Sequence, residues 1–228
     1  QAACAQLGTV ALTAAGEVLT CGAAEVSGRA TTENSYRMEP VVALGPAPVA
    51  LEAAGAAHAA AVTVTGAAFA WGRNSHGQVG VELNLGGTVQ TPQPLASKDI
   101  AVVACGGYHT VFISKEGVLF GCGRNNKGQL GPSLPKAVCP AAALPAGDGR
   151  RFAAAAAGDA HTLLLDGEGR LWGAGANAHG QVSETDAAAC LELVPITLGG
   201  EPGEELEVLF LGAGGDGAAA VARAGAAA

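Results

Sequence analysis

Three histidines, His58, His109 and His161, are the side chains best suited to chemistry in this chain, and they stand 51 and 52 residues apart. An imidazole can act as a general base or ligate a metal. A zinc site, however, gathers its ligands within about 2 Å of one ion. Side chains that recur once per structural unit take equivalent places in neighbouring units, and packed sheets lie about 10 Å apart. The spacing therefore predicts a structural part, in which each ring donates a hydrogen bond to a nearby turn carbonyl. The six cysteines, Cys4, Cys21, Cys105, Cys122, Cys139 and Cys190, form no CxxC pair, so zinc-ribbon and thioredoxin chemistry lack their spacing. They read as buried free thiols of an intracellular, reducing compartment. Gly77-Gln78, Gly128-Gln129 and Gly180-Gln181 look like fragments of a phosphate loop, but the lysine of such a loop is missing and no helical pattern follows. Their glycines are expected at positive φ, with the Gln amides bonded to loop backbone. No Ser-His-Asp order and no carboxylate pair stands out. No catalytic, cofactor-binding or metal-binding residue is assigned, and the chain is expected not to be an enzyme. Arg73 and Arg124 lie just before the Gly-Gln loops and are the candidate partner-binding residues.

The elements that position these residues come in tandem. Phe69, Phe120 and Trp172 keep the same 51 and 52 offsets, as do Gly77, Gly128 and Gly180. A degenerate copy opens the chain: Cys4 and Cys21 stand 101 residues before Cys105 and Cys122, with Gly8 in the histidine place and Leu19 in the aromatic one. A further copy begins at Leu206 and also lacks the histidine. The repeats run roughly 1–48, 49–99, 100–151 and 152–205, with a partial one at 206–228, and together they make one domain over 1–228. Within a copy, Ile100 to Ala104, Thr110 to Ser114 and Val118 to Cys122 read as strands, separated by turns at Gly106-Gly107 and Lys115-Glu116-Gly117. Short strands in a unit of about 51 residues select an all-β fold, the β-propeller, with about one four-stranded blade per repeat. Ala153 to Ala157 has the best helix propensity, yet its repeat position assigns it to a weak, buried strand. Pro40, Pro92, Pro94, Pro140 and Pro195 are placed in connections between blades, because proline has no ladder donor. Phe69, Phe120 and Trp172 are expected to fill space between blades. Trp71, aligned with Cys122 and Ala174, is expected at a packed site.

Composition narrows the partners. Twelve Lys and Arg against twenty Asp and Glu leave a net charge of −8, and the longest basic cluster is Arg150-Arg151. A phosphate-binding face needs clustered cations, so no direct nucleic-acid partner is expected. No apolar run is long enough to span a membrane. Thirty-five glycines fit many tight turns rather than long helices. The chain opens on Gln1 and is expected to be processed or part of a longer protein. Binding is sought in the least repetitive loops, Glu25 to Glu39, Val81 to Gln93, Ser183 to Leu198 and Glu201 to Glu207.

Residues 54–80, 105–131 and 157–182 resemble the regulator-of-chromosome-condensation (RCC) repeat. Its pattern runs Gly, two spacers, His-Thr, a hairpin, an aromatic, Trp-Gly-x-Asn, two spacers and Gly-Gln-Leu-Gly. The resemblance implies a seven-bladed β-propeller, of which about four blades are present here as a partial or incomplete ring. It also implies a protein–protein interaction or scaffold module, a subunit of a larger assembly. The alternative it raises is guanine-nucleotide exchange on a small GTPase, the founding member's activity. In that case the partner is the GTPase. In either case the expected partners are other proteins, and no cofactor is implied.

Overall fold

The structure is a computed structural model that describes residues 1–82, 87–97, 99–132, 134–144, 149–198, 206–215 and 217–224. Its strands pair strictly in chain order, each with the next, as expected where Gly-containing turns interrupt short apolar runs. Blade one holds β1 (Ala2–Cys4), β2 (Gly8–Leu12), β3 (Val18–Gly22) and β4 (Ser35–Pro40). Blade two holds β5 (Val49–Ala54), β6 (His58–Thr63), β7 (Ala68–Arg73) and β8 (Thr88–Pro94). Blade three holds β9 (Ile100–Cys105), β10 (His109–Ser114), β11 (Leu119–Arg124) and β12 (Ala137–Ala143). Blade four holds β13 (Phe152–Ala157), β14 (His161–Asp166), β15 (Leu171–Ala176) and β16 (Ala189–Pro195). A hairpin of β17 (Leu206–Gly214) and β18 (Gly217–Ala224) follows. All pairings are antiparallel.

The innermost strands β1, β5, β9, β13 and β17 touch in series, so the sheets fan out around a common axis. Among the described residues the sheets do not close into a ring. A cavity of about 380 Å³ lies along the axis, lined by Cys4, Gly55, Gly106, Gly158 and Gly214 among others. The core is divided between joints. Val10, Val18, Ala59 and Trp71 pack blade one on blade two. Val62, Val79, Phe112 and Cys122 join two to three, and Val111, Leu130, Phe152 and Leu164 join three to four.

Ala153 to Ala157 lies in β13, where cross-strand pairing with Leu163, Leu164 and Leu165 overrides helix propensity. The prolines depart from expectation. Pro40, Pro92, Pro94, Pro140 and Pro195 all lie within β4, β8, β12 and β16, the outermost strand of each blade. An edge strand has one side without a ladder partner, so a missing N–H costs nothing there and blunts edge-to-edge pairing. No helix is long and apolar enough to cross a membrane among the described residues.

Candidate functional site

The three histidines open the second strands of blades two, three and four and are 0–1% exposed. Each ring leans on the glycine three residues earlier. A Cβ on Gly55, Gly106 or Gly158 would collide with the ring of His58, His109 or His161 respectively. Blade one shows the converse, with Ala5 in the glycine place and Gly8 in the histidine place. The Gly-x-x-His spacing is therefore a steric pair.

The rings do not reach a turn carbonyl directly, as the sequence suggested. His58 Nε2 lies 2.8 Å from Thr110 Oγ1 in the next blade, and His109 Nε2 lies 2.9 Å from Thr162 Oγ1. Each threonine hydroxyl in turn donates to a Gly-Gln turn carbonyl of the histidine's own blade, Gln78 O at 2.8 Å and Gln129 O at 2.7 Å. Because the hydroxyl proton goes to the carbonyl, the imidazole proton sits on Nε2 and donates to the threonine. Burial pushes the His58 imidazole down to about 4. It pushes His109 to about 3, helped by repulsion from His58 and His161. These rings are neutral near pH 7 and cannot act as acids there. Thr110 and Thr162 were missed as joint residues by sequence reasoning, although the His-Thr dipeptide was visible at both.

The glutamine side chains of the Gly-Gln turns bond within their own loops. Gln78, Gln129 and Gln181 accept through Oε1 from the backbone N–H of His76, Lys127 and His179 at 2.9–3.0 Å. Gly77, Gly128 and Gly180 have φ of 81°, 82° and 72°. The preceding Asn74, Asn125 and Asn177 accept from Val79, Leu130 and Val182 N–H at 2.8–3.0 Å. Phe69, Phe120 and Trp172 are half-buried at the rims of the joints rather than at their centres. Trp172 also donates from Nε1 to Asp166 Oδ2 at 2.8 Å and lies 3.6 Å beneath the Arg150 guanidinium. Burial would raise the Asp166 carboxyl, but bonds from Arg170, Trp172 and Glu168 outweigh it and hold the group low.

Joint one to two replaces the threonine. Position 59 is Ala, and its cross-strand partner Trp71, 0% exposed, donates Nε1–H to Val26 O at 3.0 Å. Val26 O accepts from Trp71 as Gln78 O accepts from the aligned Cys122 Sγ at the next joint. The thiols are all free, but Cys4 is exposed and Cys21 and Cys139 are half-buried, which corrects the expectation of uniform burial. Burial raises the Cys105 thiol to about 12 and Cys122 higher still, so both are inert. Among the described residues no group of three His, Cys, Asp or Glu could hold a metal.

What remains for a partner is the loop face. Arg73 pairs with Glu25 at 3.1 Å, both partly exposed. The Arg124 guanidinium lies 5.7 Å from the centre of the Tyr108 ring, and His76 meets that ring edge-on at 5.3 Å. Partial burial and the Arg124 charge keep the His76 imidazole below its usual range. This places Arg124 in a cation–aromatic cluster spanning blades two and three, and Arg73 apart from it. Tyr108 carried no repeat signal, because Ala57 and Ala160 hold its place elsewhere. Of the variable loops, residues 83–86 and 201–205 lie outside the described residues.

Comparison with known proteins places these observations. The family model described as "Regulator of chromosome condensation (RCC1) repeat" matches residues 65–113 and 116–165, and a second model of the same description matches 100–129 and 152–181. The chain is 34% identical over 177 residues to human "Probable E3 ubiquitin-protein ligase HERC6", covering 73% of this chain and 17% of that protein. It is 32% identical over 188 residues to "Ultraviolet-B receptor UVR8" of Arabidopsis thaliana, covering 80% and 42%. It superposes on human WBSCR16 with a TM-score of 0.80 at 20% identity, over 99% of this chain and 57% of that one. The match to Prp20p of Saccharomyces cerevisiae has a TM-score of 0.80 at 23% identity, over 97% and 55%. The chain thus spans less than half the length of these sequence relatives and a little over half of these structures.

Proposed function

Because the chain belongs to the regulator of chromosome condensation (RCC1) repeat family, we propose that it is a non-catalytic scaffold that binds other proteins through the loop face of its propeller. One observation carries this reading. The repeated side chains with chemical capacity are taken up by the scaffold itself: the histidines are buried and the glutamines bind their own loops. The groups left facing outward, Arg124 with Tyr108 and His76, have the aromatic and guanidinium character of binding hot spots. Rigid blades with variable loops suit recognition. Cross-linking in native extract, with the wild-type chain and Arg124→Glu compared, tests it. The expected result is a defined set of cross-linked proteins that the substitution removes while the melting temperature holds. A chain that runs alone in extract overturns it.

A second reading is guanine-nucleotide exchange on a small GTPase. It is supported by the family and by the fold shared with Prp20p, whose structure was reported together with its binding to Gsp1p and histones. Exchange needs only tighter binding to the nucleotide-free partner. Release of a fluorescent guanine nucleotide from a panel of small GTPases decides it. No acceleration by the chain removes this reading and leaves the scaffold standing.

A further inference from the structure

The hairpins between second and third strands are closed alike in blades one to three. Thr13, Thr63 and Ser114 each accept, through the side-chain oxygen, from the backbone N–H four residues on, in Glu17, Ala67 and Val118, at 3.0–3.2 Å. Blade four has Asp166 in that place. Its Oδ1 closes the hairpin, accepting from Glu168 N and Arg170 N at 2.9 Å. Its Oδ2 makes bonds the other blades lack: it accepts from Arg170 Nε at 2.9 Å and from Trp172 Nε1 at 2.8 Å. The Asp166 side chain is 2% exposed, so Arg170 and Trp172 are held by an anchor inside the blade.

The neighbours of Asp166 break the repeat together. Where Arg170 and Trp172 stand, blade three has Val118 and Phe120 and blade two has Ala67 and Phe69. Arg151, whose carbonyl accepts from Gly167 N at 3.0 Å, takes the place of Asp99 and Pro48, whose carbonyls accept from Lys115 N and Val64 N. The Arg150 guanidinium covers the Trp172 indole at 3.6 Å. Blades two and three fold without this set of charges, so the scaffold does not require it. Arg150, Arg151, Asp166, Glu168 and Arg170 line an open cavity of about 280 Å³. It lies at the opposite end of blade four from the Gly-Gln loop, because β15 starts beside it at Leu171 and ends before that loop at Ala176.

Three guanidinium groups around one opening suit an anion, and the chain already places one there. Glu168 Oε2 meets Arg170 Nη2 at 2.7 Å, on side chains 73% and 54% exposed. An exposed ion pair contributes little, so it yields to a stronger anion. A carboxylate from outside is no stronger and competes with one tethered at high effective concentration. A phosphoryl group carries roughly −1.5 to −2 charges at neutral pH and three acceptor oxygens, which planar guanidinium groups bind two bonds at a time. We propose that this pocket binds a phosphoryl group presented by a partner protein, with Arg150 and Arg151 lining its entry and Arg170 exchanging Glu168 for the phosphoryl oxygens. Asp166 stays in place and keeps Arg170 aimed. The site is a strand's length from the loop face and stands or falls independently of it.

Trp172 is the reporter, because the other tryptophan, Trp71, is 0% exposed in joint one to two. The whole chain is titrated by tryptophan fluorescence with a pentapeptide of phosphoserine flanked by glycines, with the serine and glutamate forms of that peptide, with inorganic phosphate and with a single-stranded oligonucleotide. A saturable change is expected with the phosphopeptide, about ten-fold weaker binding with the glutamate form, and none with the serine form. Arg151→Ala and Arg170→Ala are each expected to weaken phosphopeptide binding by about ten-fold, and Glu168→Gln to tighten it. Asp166→Ser, which restores the cap of blade three, is expected to abolish the signal while the chain still unfolds cooperatively. Arg124→Glu is expected to leave it unchanged. No saturable change, equal binding of the glutamate form, or weaker binding by Glu168→Gln overturns the proposal. Inorganic phosphate bound as tightly as the phosphopeptide would assign the pocket to the free anion, and tighter binding of the oligonucleotide would assign it to nucleic acid; either overturns it too.

Discussion

The buried imidazoles of His58 and His109 make stability depend on pH, and burial fixes the sign. Their folded pKa values, about 4 and about 3, lie below the unfolded value near 6.5. Above pH 6.5 both states are neutral there and the joints keep their full stability. As pH falls from 6.5 towards 4 the unfolded chain takes up protons first, so stability declines. Glu52 acts in the opposite direction. Its side chain is buried, neither carboxylate oxygen has a hydrogen-bond partner, and burial lifts its pKa to about 7 despite the nearby chain amine. Stability is lost as pH rises from 4.5 to 7, because the unfolded chain ionises first. Glu52→Gln is expected to stabilise the protein at pH 8 by roughly 1–3 kcal/mol, read by urea unfolding. In that background, unfolding at pH 7 and pH 5 isolates the histidines, and the midpoint is expected to fall at pH 5. A midpoint that rises there would contradict neutral buried rings.

At the scale of strands and turns, joint one to two does with an indole what the later joints do with a hydroxyl. Trp71→Ala removes both the filling of the joint and the bond to Val26 O, and is expected to cost roughly 3–5 kcal/mol. Adding Ala59→Thr to that variant supplies a hydroxyl in the register of Thr110. It is expected to recover about 1 kcal/mol by chemical denaturation; no recovery would mean that Val26 O is out of reach of position 59. The Gly-x-x-His turn gives a second test. The three atoms nearest a Cβ on Gly158 all belong to the His161 ring. Gly158→Ala is therefore expected to destabilise the wild type clearly and to be nearly neutral in a His161→Gly background, a coupling measurable in a double-mutant cycle. Equal costs in both backgrounds would show that the glycine serves some other constraint.

The whole molecule is a set of sheets whose contacts run to nearest neighbours, so its stability approximates a sum over blades and joints. Blades two and three are covered on both faces; among the described residues only blade two packs on a face of blade one, and its β4 is edge-exposed from Tyr36 to Pro40. Native-state hydrogen exchange is expected to be slowest in β6 and β10, every residue of which is buried, and fastest in β1 and β4. Uniform protection across the blades would show that the arc unfolds as one unit and that the sparser packing of blade one carries no penalty.

The repeat, the strands and the turns were legible in the sequence because their causes are local. A period of 51 or 52 residues, glycine at each reversal and short apolar runs leave little choice of architecture. Even the alanine run at 153–157 was correctly read as a strand, since its place in the repeat outweighed its propensity, although only Ala156 and Ala157 of it are buried. The joints were legible only in part. Histidine, glycine and glutamine announced themselves by recurrence, but their partners lie about fifty residues away on another sheet. Thr110 and Thr162 became partners of His58 and His109 only when two blades were stacked. Trp71 could replace a threonine only because the fold set its indole over a carbonyl of blade one. The prolines were misplaced for the same reason: that each blade ends in an edge strand able to accept them is a property of the fanned sheets. Sequence determined what each unit is, because backbone and turn chemistry act over a few residues. The tertiary structure decided what each unit meets, because burial and hydrogen bonding across a joint depend on the distance between sheets.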